Sequence, residues 1–195
     1  MFIFVNEYFY NNFIIFSMKK SILILLLLTV ILQSNTVIRI SNSVIKTTND
    51  GLCNSMVTAI AQDKHGFIWI GTEEGLSKYD GLSFNTYKVN GSDHSKLTNN
   101  SVVSLLCDKK GQIWVGTYNG CQVYNDELNV FKTVDFKLKD IKNKAIKIEK
   151  IFEDSKNNIW LSTSINGVIM IDGKGKNSKH FFYQPKNPLS ICSNI

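Results

Sequence analysis

Residues with the side chains for catalysis are few in this chain of 195 residues, and they are spread along it. The three histidines, His65, His94 and His180, are all expected to lie in polar turns or connectors. Their spacing from serines and aspartates does not suggest a nucleophilic triad. Glu73 and Glu74 are adjacent, so an extended strand would point them to opposite sides, whereas glycosidases need a facing pair of carboxylates. The sequence therefore predicts no catalytic residue and no cofactor.

The four cysteines do not have the spacing of a metal or redox site. They stand at positions 53, 107, 121 and 192, and none of them forms a Cys-x-x-Cys pair. We expect a strand to lie between Cys107 and Cys121, which argues against a disulfide across that part of the chain. Cys121 takes the position of Leu76 and Val168 in two related segments, so we interpret it as a small apolar core residue. No metal site is predicted.

A segment of about 45 residues occurs three times, and these copies must position whatever site the chain has. Trp69, Trp114 and Trp160 mark the same position, 45 and then 46 residues apart. An aspartate opens a four-residue turn before each tryptophan, and a small residue follows two positions later. These aspartates are Asp63, Asp108 and Asp154, and the small residues are Gly71, Gly116 and Ser162. The tryptophans favour a core role between successive copies; a role in stacking on a ligand is the alternative.

Each copy has four short apolar or aromatic runs joined by turns. The turn that begins at the aspartate needs a last residue in the left-handed conformation. This residue is Gly66 in the first copy, Gly111 in the second and Asn157 in the third. Asp80-Gly81 and Asp172-Gly173 are typical of hairpin turns. Four antiparallel strands in about 45 residues match a propeller blade. The predicted fold is all-β, a partial β-propeller of about three four-stranded blades plus the start of a fourth.

The pattern over residues 63–81, Asp-x-x-Gly-x-Ile-Trp-Ile-Gly-Thr-x-x-Gly-Leu-x-x-Tyr-Asp-Gly, resembles the two-component regulator propeller repeat. The third copy departs from it at Asn157, at Ser162 and by one extra residue before Gly167. That family forms the periplasmic sensor region of bacterial hybrid histidine kinases. The resemblance implies a periplasmic N-terminal fragment that senses an oligosaccharide and signals to a kinase absent from this chain, so the fragment itself is not expected to be an enzyme.

The chain divides into an N-terminal leader and the repeats. Residues 1–17 have no counterpart in the repeats, and we interpret them as an extension from a misplaced start. Met18-Lys19-Lys20 and the apolar run that follows predict a signal peptide or an uncleaved anchor over residues 18–36. The incomplete propeller then covers residues 44–195, with repeats at about 52–96, 97–142 and 143–190 and a stub at 191–195. Residues 44–50 are expected to form an outer strand, and further blades of a longer protein are expected to complete the ring.

The corner after the second strand of each copy varies in sequence while its frame repeats. Such corners gather on one face of a propeller, and varied polar and aromatic tips on a fixed scaffold suit sugar binding. The candidate ligand-binding residues are Glu73, Glu74, Tyr118, Asn119, Ser164 and Asn166. Ordinary exposed turn residues are the alternative interpretation.

The formal net charge of +6 comes partly from lysines concentrated in residues 132–150. Their alternation with apolar residues favours a solvated strand edge over a surface for acidic polysaccharide, and no nucleic-acid partner is predicted. A membrane contact is expected only through the leader or a downstream helix. Besides the sensor, a secreted polysaccharide lyase or hydrolase fragment and a structural interaction propeller stay open as alternatives.

Overall fold

The computed structural model describes residues 43–89, 96–136 and 146–192. The chain divides into two compact units, Met1–Val44 and Ile45–Ile195, and the described strands all lie in the second. They form three antiparallel sheets of four strands, each built from strands that are consecutive in the chain. The predicted all-β fold of four-stranded blades is therefore confirmed. The leader predicted for residues 1–36 lies outside the described residues.

Each of the three predicted repeats supplies one blade. The first contains β1 (Val57–Gln62), β2 (Ile68–Thr72), β3 (Gly75–Tyr79) and β4 (Phe84–Tyr87). The second contains β5 (Val102–Cys107), β6 (Ile113–Thr117), β7 (Gly120–Asn125) and β8 (Val130–Thr133). The third contains β9 (Ile148–Glu153), β10 (Ile159–Thr163), β11 (Val168–Ile171) and β12 (Ser178–Phe181). Across these described ranges, no helix combines the length and the apolar character needed to cross a membrane.

The first strands of successive blades pack against one another, β1 against β5 and β5 against β9. In each blade the first strand carries a bulge close to its start, because the register with the second strand shifts there by one residue. In the first blade, Val57 pairs with Thr72 and Ala59 pairs with Gly71, so that Thr58 is the extra residue. Thr58 donates its hydroxyl to the carbonyl of Val102 in the second blade, 2.6 Å away.

The hydrophobic core lies between the blades. One cluster joins Trp69 and Leu76 of the first blade to residues of the second, namely Val102, Ile113, Val115, Tyr124 and Phe131, and it includes Leu97. A second cluster joins Trp114 and Cys121 of the second blade to Ile148, Ile151, Ile159, Leu161, Ile169 and Ile171 of the third. The repeat therefore forms its core by stacking on its neighbour, as expected for a fold in which no single blade buries both of its faces.

The turns before the tryptophan strands have the geometry that the sequence predicted. Gly66 and Gly111 have φ angles of 89° and 79°, and Asn157 has a φ angle of 63° in the same position. Asparagine tolerates this left-handed conformation better than other side chains. The replacement in the third copy therefore changes the residue and keeps the turn.

Three local predictions were wrong. Residues 44–47 form no strand, and a 3-10 helix follows at Thr48–Asp50, because Thr47 and Asp50 form a capping box that curls the chain. In the third hairpin the left-handed residue is Gly175 rather than Gly173, since the turn closes with the Gly175 amide donating to the carbonyl of Asp172. His180 was expected in a turn or connector and instead lies in the outer strand of the third blade, β12 (Ser178–Phe181).

Candidate functional site

The three candidate corners share one frame, which is a buried threonine at the end of the second strand of each blade. Its hydroxyl donates to the carbonyl of the glycine that opens the third strand, and it accepts the amide of the residue before that glycine. The threonines are Thr72, Thr117 and Thr163, with hydroxyl-to-carbonyl distances of 2.8, 3.1 and 2.8 Å. Each threonine lies between a small residue and the varied corner. A comparison of the three copies could have identified these threonines from the sequence, because the threonine is the same in all three.

The first corner presents two carboxylates to solvent. Glu73 and Glu74 are both exposed, and the Glu74 carboxylate lies 4.0 Å from the ammonium of Lys88. The carbonyl of Glu74 accepts the thiol of Cys53 at 3.2 Å. These contacts fix the corner to the first blade and leave the Glu73 side chain exposed.

The second corner presents Tyr118, an aromatic residue that is half-exposed. The ammonium of Lys147 lies 4.4 Å from the centre of the Tyr118 ring, within the range of a cation–π contact. Lys147 is held there by Glu149, whose carboxylate is 2.9 Å from the ammonium. The hydrogen bond to Glu149, and after it the contact with Tyr118, raises the pKa of Lys147. Asn119 is exposed beside this group.

Lys147 connects the second and third corners. Its side chain covers one part of the Tyr118 ring, and its carbonyl accepts the amide of Ser164 at 3.2 Å. The structure therefore brings Tyr118 and Ser164 together around one residue of the third blade. Sequence reasoning missed Lys147, because it grouped this residue with the solvated lysines of residues 132–150.

The third corner is one residue longer than the others, and His180 supports it. The His180 imidazole Nε2 lies 2.6 Å from the carbonyl of Asn166 and donates to it. The ring also stacks on Phe182, with 4.7 Å between the ring centres. His180 takes the place of Thr86 and Thr133 in the outer strands of the other blades, and its longer side chain reaches the longer corner.

The tryptophans lie away from these corners. Trp69 and Trp114 lie inside the contacts between blades, as predicted, whereas Trp160 lies outside both core clusters. Trp69 is fully buried and stacks on Tyr87, with ring centres 5.7 Å apart. Trp114 is buried against the third blade, and Trp160 is half-buried on Phe181. Each indole N–H donates to the aspartate that opens its turn, at 2.8, 2.9 and 2.9 Å in the three copies.

The glycines beside the first two tryptophans admit a side chain of the next blade. A Cβ atom built on Gly71 would lie 2.6 Å from Cγ1 of Val102. A Cβ atom built on Gly116 would lie 2.8 Å from Cγ2 of Ile148. Glycine is required at both positions because any side chain would overlap the first strand of the following blade. Ser162 takes this position in the third blade.

The cysteines are free, and Cys121 is part of the core as the sequence suggested. Burial raises the pKa of the Cys121 thiol, which keeps it protonated. Among residues 43–89, 96–136 and 146–192, no three His, Cys, Asp or Glu side chains come close enough to hold a metal ion.

Comparison with known proteins gives relatives for both the sequence and the fold. The two component regulator propeller model matches residues 51–74 and 96–119. A stretch of 60 residues is 45% identical to part of Histidine kinase P4 of Formosa agariphila. This match covers 30% of this chain and 4% of that protein. The chain thus spans a small part of the kinase that it resembles.

Two solved structures from B. thetaiotaomicron share the fold, and both are extracellular domains of hybrid two component systems. The first is 28% identical, with a TM-score of 0.63, over 71% of this chain and 20% of that one. The second is 22% identical, with a TM-score of 0.62, over 77% of this chain and 20% of that one. The first two repeats of this chain therefore resemble two component regulator propeller repeats, as the sequence predicted.

Proposed function

We propose that this chain is the N-terminal, ligand-sensing part of a two-component sensor histidine kinase. This part is exported to the periplasm, and it signals to the kinase domain of the same parent protein. The observation that carries this proposal is the similarity, in sequence and in fold, to the extracellular domain of a hybrid two component system. The match to Histidine kinase P4 supports the same assignment from an independent comparison.

The ligand-binding surface is the face that carries the three threonine-framed corners. Two properties support this choice. The corners are rigidly framed by Thr72, Thr117 and Thr163 while their tips differ. The second corner exposes an aromatic ring beside a lysine and a glutamate, and rings flanked by hydrogen-bonding groups are suited to stacking on a sugar. An oligosaccharide is the ligand class that this surface fits.

The binding test uses the full chain and a defined set of hexasaccharides, namely cello-, xylo-, manno- and maltohexaose, measured by calorimetry. Tyr118→Ala is expected to lower the affinity for the bound hexasaccharide by roughly tenfold, because the stacking surface is lost. Glu127→Ala is the control, since Glu127 is exposed in the turn between β7 and β8, at the opposite end of the blade. Equal affinity in both variants would exclude this face as the binding surface.

The signalling part of the proposal needs a separate experiment in the parent protein. A sensor role predicts that the hexasaccharide changes the rate of histidine autophosphorylation, and that Tyr118→Ala removes this response without changing the basal rate. A response that survives Tyr118→Ala would assign sensing to another surface.

A further inference from the structure

A cavity of about 390 Å³ lies between the second and third blades. Its apolar wall consists of Trp114, Val123 and Val134 of the second blade and Ile171 of the third. A closed apolar cavity of about 150 Å³ already holds a benzene molecule, so this volume accepts an aromatic ring with a substituent. No residue of the three threonine-framed corners lines it, and the cavity is therefore separate from the surface assigned to the oligosaccharide.

The matching region between the first and second blades is filled by side chains. Trp69 stacks on Tyr87, with ring centres 5.7 Å apart, and the ring of Tyr124 lies 4.8 Å from Trp69. The ring of Phe131 lies 5.3 Å from Tyr87. The ammonium of Lys78 lies 5.1 Å from the centre of the Trp69 ring. Three rings and one long side chain thus surround the first tryptophan.

All four of these neighbours are replaced by smaller residues around the second tryptophan. The pairing of the strands aligns the positions: Val134 takes the place of Tyr87, Val123 that of Lys78, Ile171 that of Tyr124, and Ser178 that of Phe131. All four of the smaller residues line the cavity. The cavity therefore arises from four differences in sequence at matching positions of two otherwise similar contacts.

The second blade lacks the ring that stacks on the tryptophan in the other two. In the third blade, Trp160 stacks on Phe181, which takes the position of Tyr87, with ring centres 5.6 Å apart and 22° between the ring planes. In the second blade that position is Val134, and no ring of the residues that the structure describes stacks on Trp114. The indole of Trp114 instead lines the cavity.

We propose that this cavity binds a small aromatic molecule of the single-ring phenol class, whose ring stacks on Trp114 as Tyr87 stacks on Trp69. Offset stacking of two rings adds to the gain from apolar burial, so an aromatic ligand is favoured over a saturated ligand of the same size. Lys132 and Lys176 also line the cavity, and their ammonium groups can donate to a phenolic oxygen. The ligand would contact the second and third blades at once.

NMR of the full chain, labelled with nitrogen-15, tests this site with p-cresol, which is the side chain of tyrosine as a free molecule. The indole N–H signal of Trp114 is expected to shift in a saturable manner, whereas those of Trp69 and Trp160, which already stack on a ring, should shift much less. The Trp114 signal is assigned by its loss in Trp114→Phe. The absence of a saturable shift at Trp114, or equal shifts of all three signals, would overturn the proposal.

The saturated analogue 4-methylcyclohexanol separates stacking from simple filling of the cavity. It has nearly the size of p-cresol and no aromatic face, so we expect it to bind about threefold to tenfold more weakly. Equal affinity of the two compounds would contradict a site selective for aromatic rings.

Val134→Tyr supplies the side chain that the first blade has at this position. It is expected to fill the cavity and to lower the affinity for p-cresol by about tenfold or more. Thr133→Tyr is the matched control, because Thr133 is exposed and its side chain points to the opposite face of β8, so the affinity should be unchanged. Binding that survives Val134→Tyr would place p-cresol elsewhere and refute the assignment.

The unaltered chain provides a further measurement that does not depend on the folding of any variant. Intermolecular nuclear Overhauser effects are expected between the ring protons of p-cresol and the methyl groups of Val123, Val134 and Ile171, which line the cavity from both blades. Their absence in the presence of saturating p-cresol would also refute the assignment.

Discussion

Trp114 donates its indole N–H to Oδ2 of Asp108, which stands six residues earlier in the chain and lies 2.9 Å away. The other carboxylate oxygen of Asp108 accepts the amides of Lys110 and Gln112, at 2.9 and 2.8 Å. One side chain therefore fixes both the turn before β6 and the tryptophan that packs on the next blade. The same bonds recur around Asp63 and Asp154.

Asp108→Ala is expected to lower the free energy of unfolding by about 3 kcal/mol, because the buried indole N–H and two turn amides lose their charged acceptor. Urea unfolding followed by tryptophan fluorescence measures the change. Glu127→Ala, at an exposed position, should change the stability by less than about 0.5 kcal/mol. A similar small change in Asp108→Ala would show that the turn does not depend on the carboxylate.

Gly116→Ala is expected to destabilise the chain by about 1–3 kcal/mol, because the new methyl group would overlap Ile148. Ser162→Ala is the matched control in the third blade, where a Cβ atom is already present. The double variant Gly116→Ala with Ile148→Ala should be less destabilised than the sum of the two single variants, since the overlap is removed. Additive effects would argue against direct contact between these two positions.

Asn157→Ala is expected to lower the free energy of unfolding by about 1 kcal/mol, because alanine does not readily adopt the left-handed conformation at φ 63°. Asn157→Gly should preserve the stability to within about 0.5 kcal/mol, since glycine occupies this position in the first two copies. Thermal unfolding of the two variants gives the comparison. Equal destabilisation by both would assign the role of Asn157 to its side-chain contact with Lys109 instead.

The pKa of Asp154 lies well below its usual range, chiefly because its carboxylate accepts the indole N–H of Trp160. A pKa that is lower in the folded state means that the ionised carboxylate stabilises the fold. This contribution is present above the unfolded pKa of about 3.9 and is lost as the pH falls through the folded pKa. The stability of the chain is therefore expected to fall on acidification below about pH 4.

Trp160→Phe isolates this effect, because phenylalanine keeps the ring contact and removes the indole N–H. In a carbon-detected NMR titration, the pKa of Asp154 should move upward in this variant. Asp80 is the internal control: backbone amides of Ser83 and Leu82 lower its pKa, and they lie away from the substitution. An unchanged Asp154 pKa would mean that its other hydrogen bonds, from Asn158 and Lys156, are sufficient.

The period, the strands and the turns of this chain were determined by its sequence, because they depend on local spacing and on the backbone angles that single residues accept. The aspartate turns, the left-handed Asn157 and nearly all of the strands follow from such short-range rules. The local errors have the same origin. The capping box at Thr47 replaces a predicted strand, and the left-handed Gly175 replaces Gly173 as the turn residue. In both places the observed and the predicted conformations obey the same short-range rules and differ little in local backbone free energy.

The contacts between blades were decided only by the tertiary structure. No repeat on its own specifies that Val102 enters the gap at Gly71, that Lys147 lies over Tyr118, or that His180 supports the longer third corner. Each of these pairs joins residues that are far apart in the sequence, and two of the three pairs join different blades. Their distances depend on how one sheet stacks on the next, which side-chain packing sets and a repeating pattern does not encode.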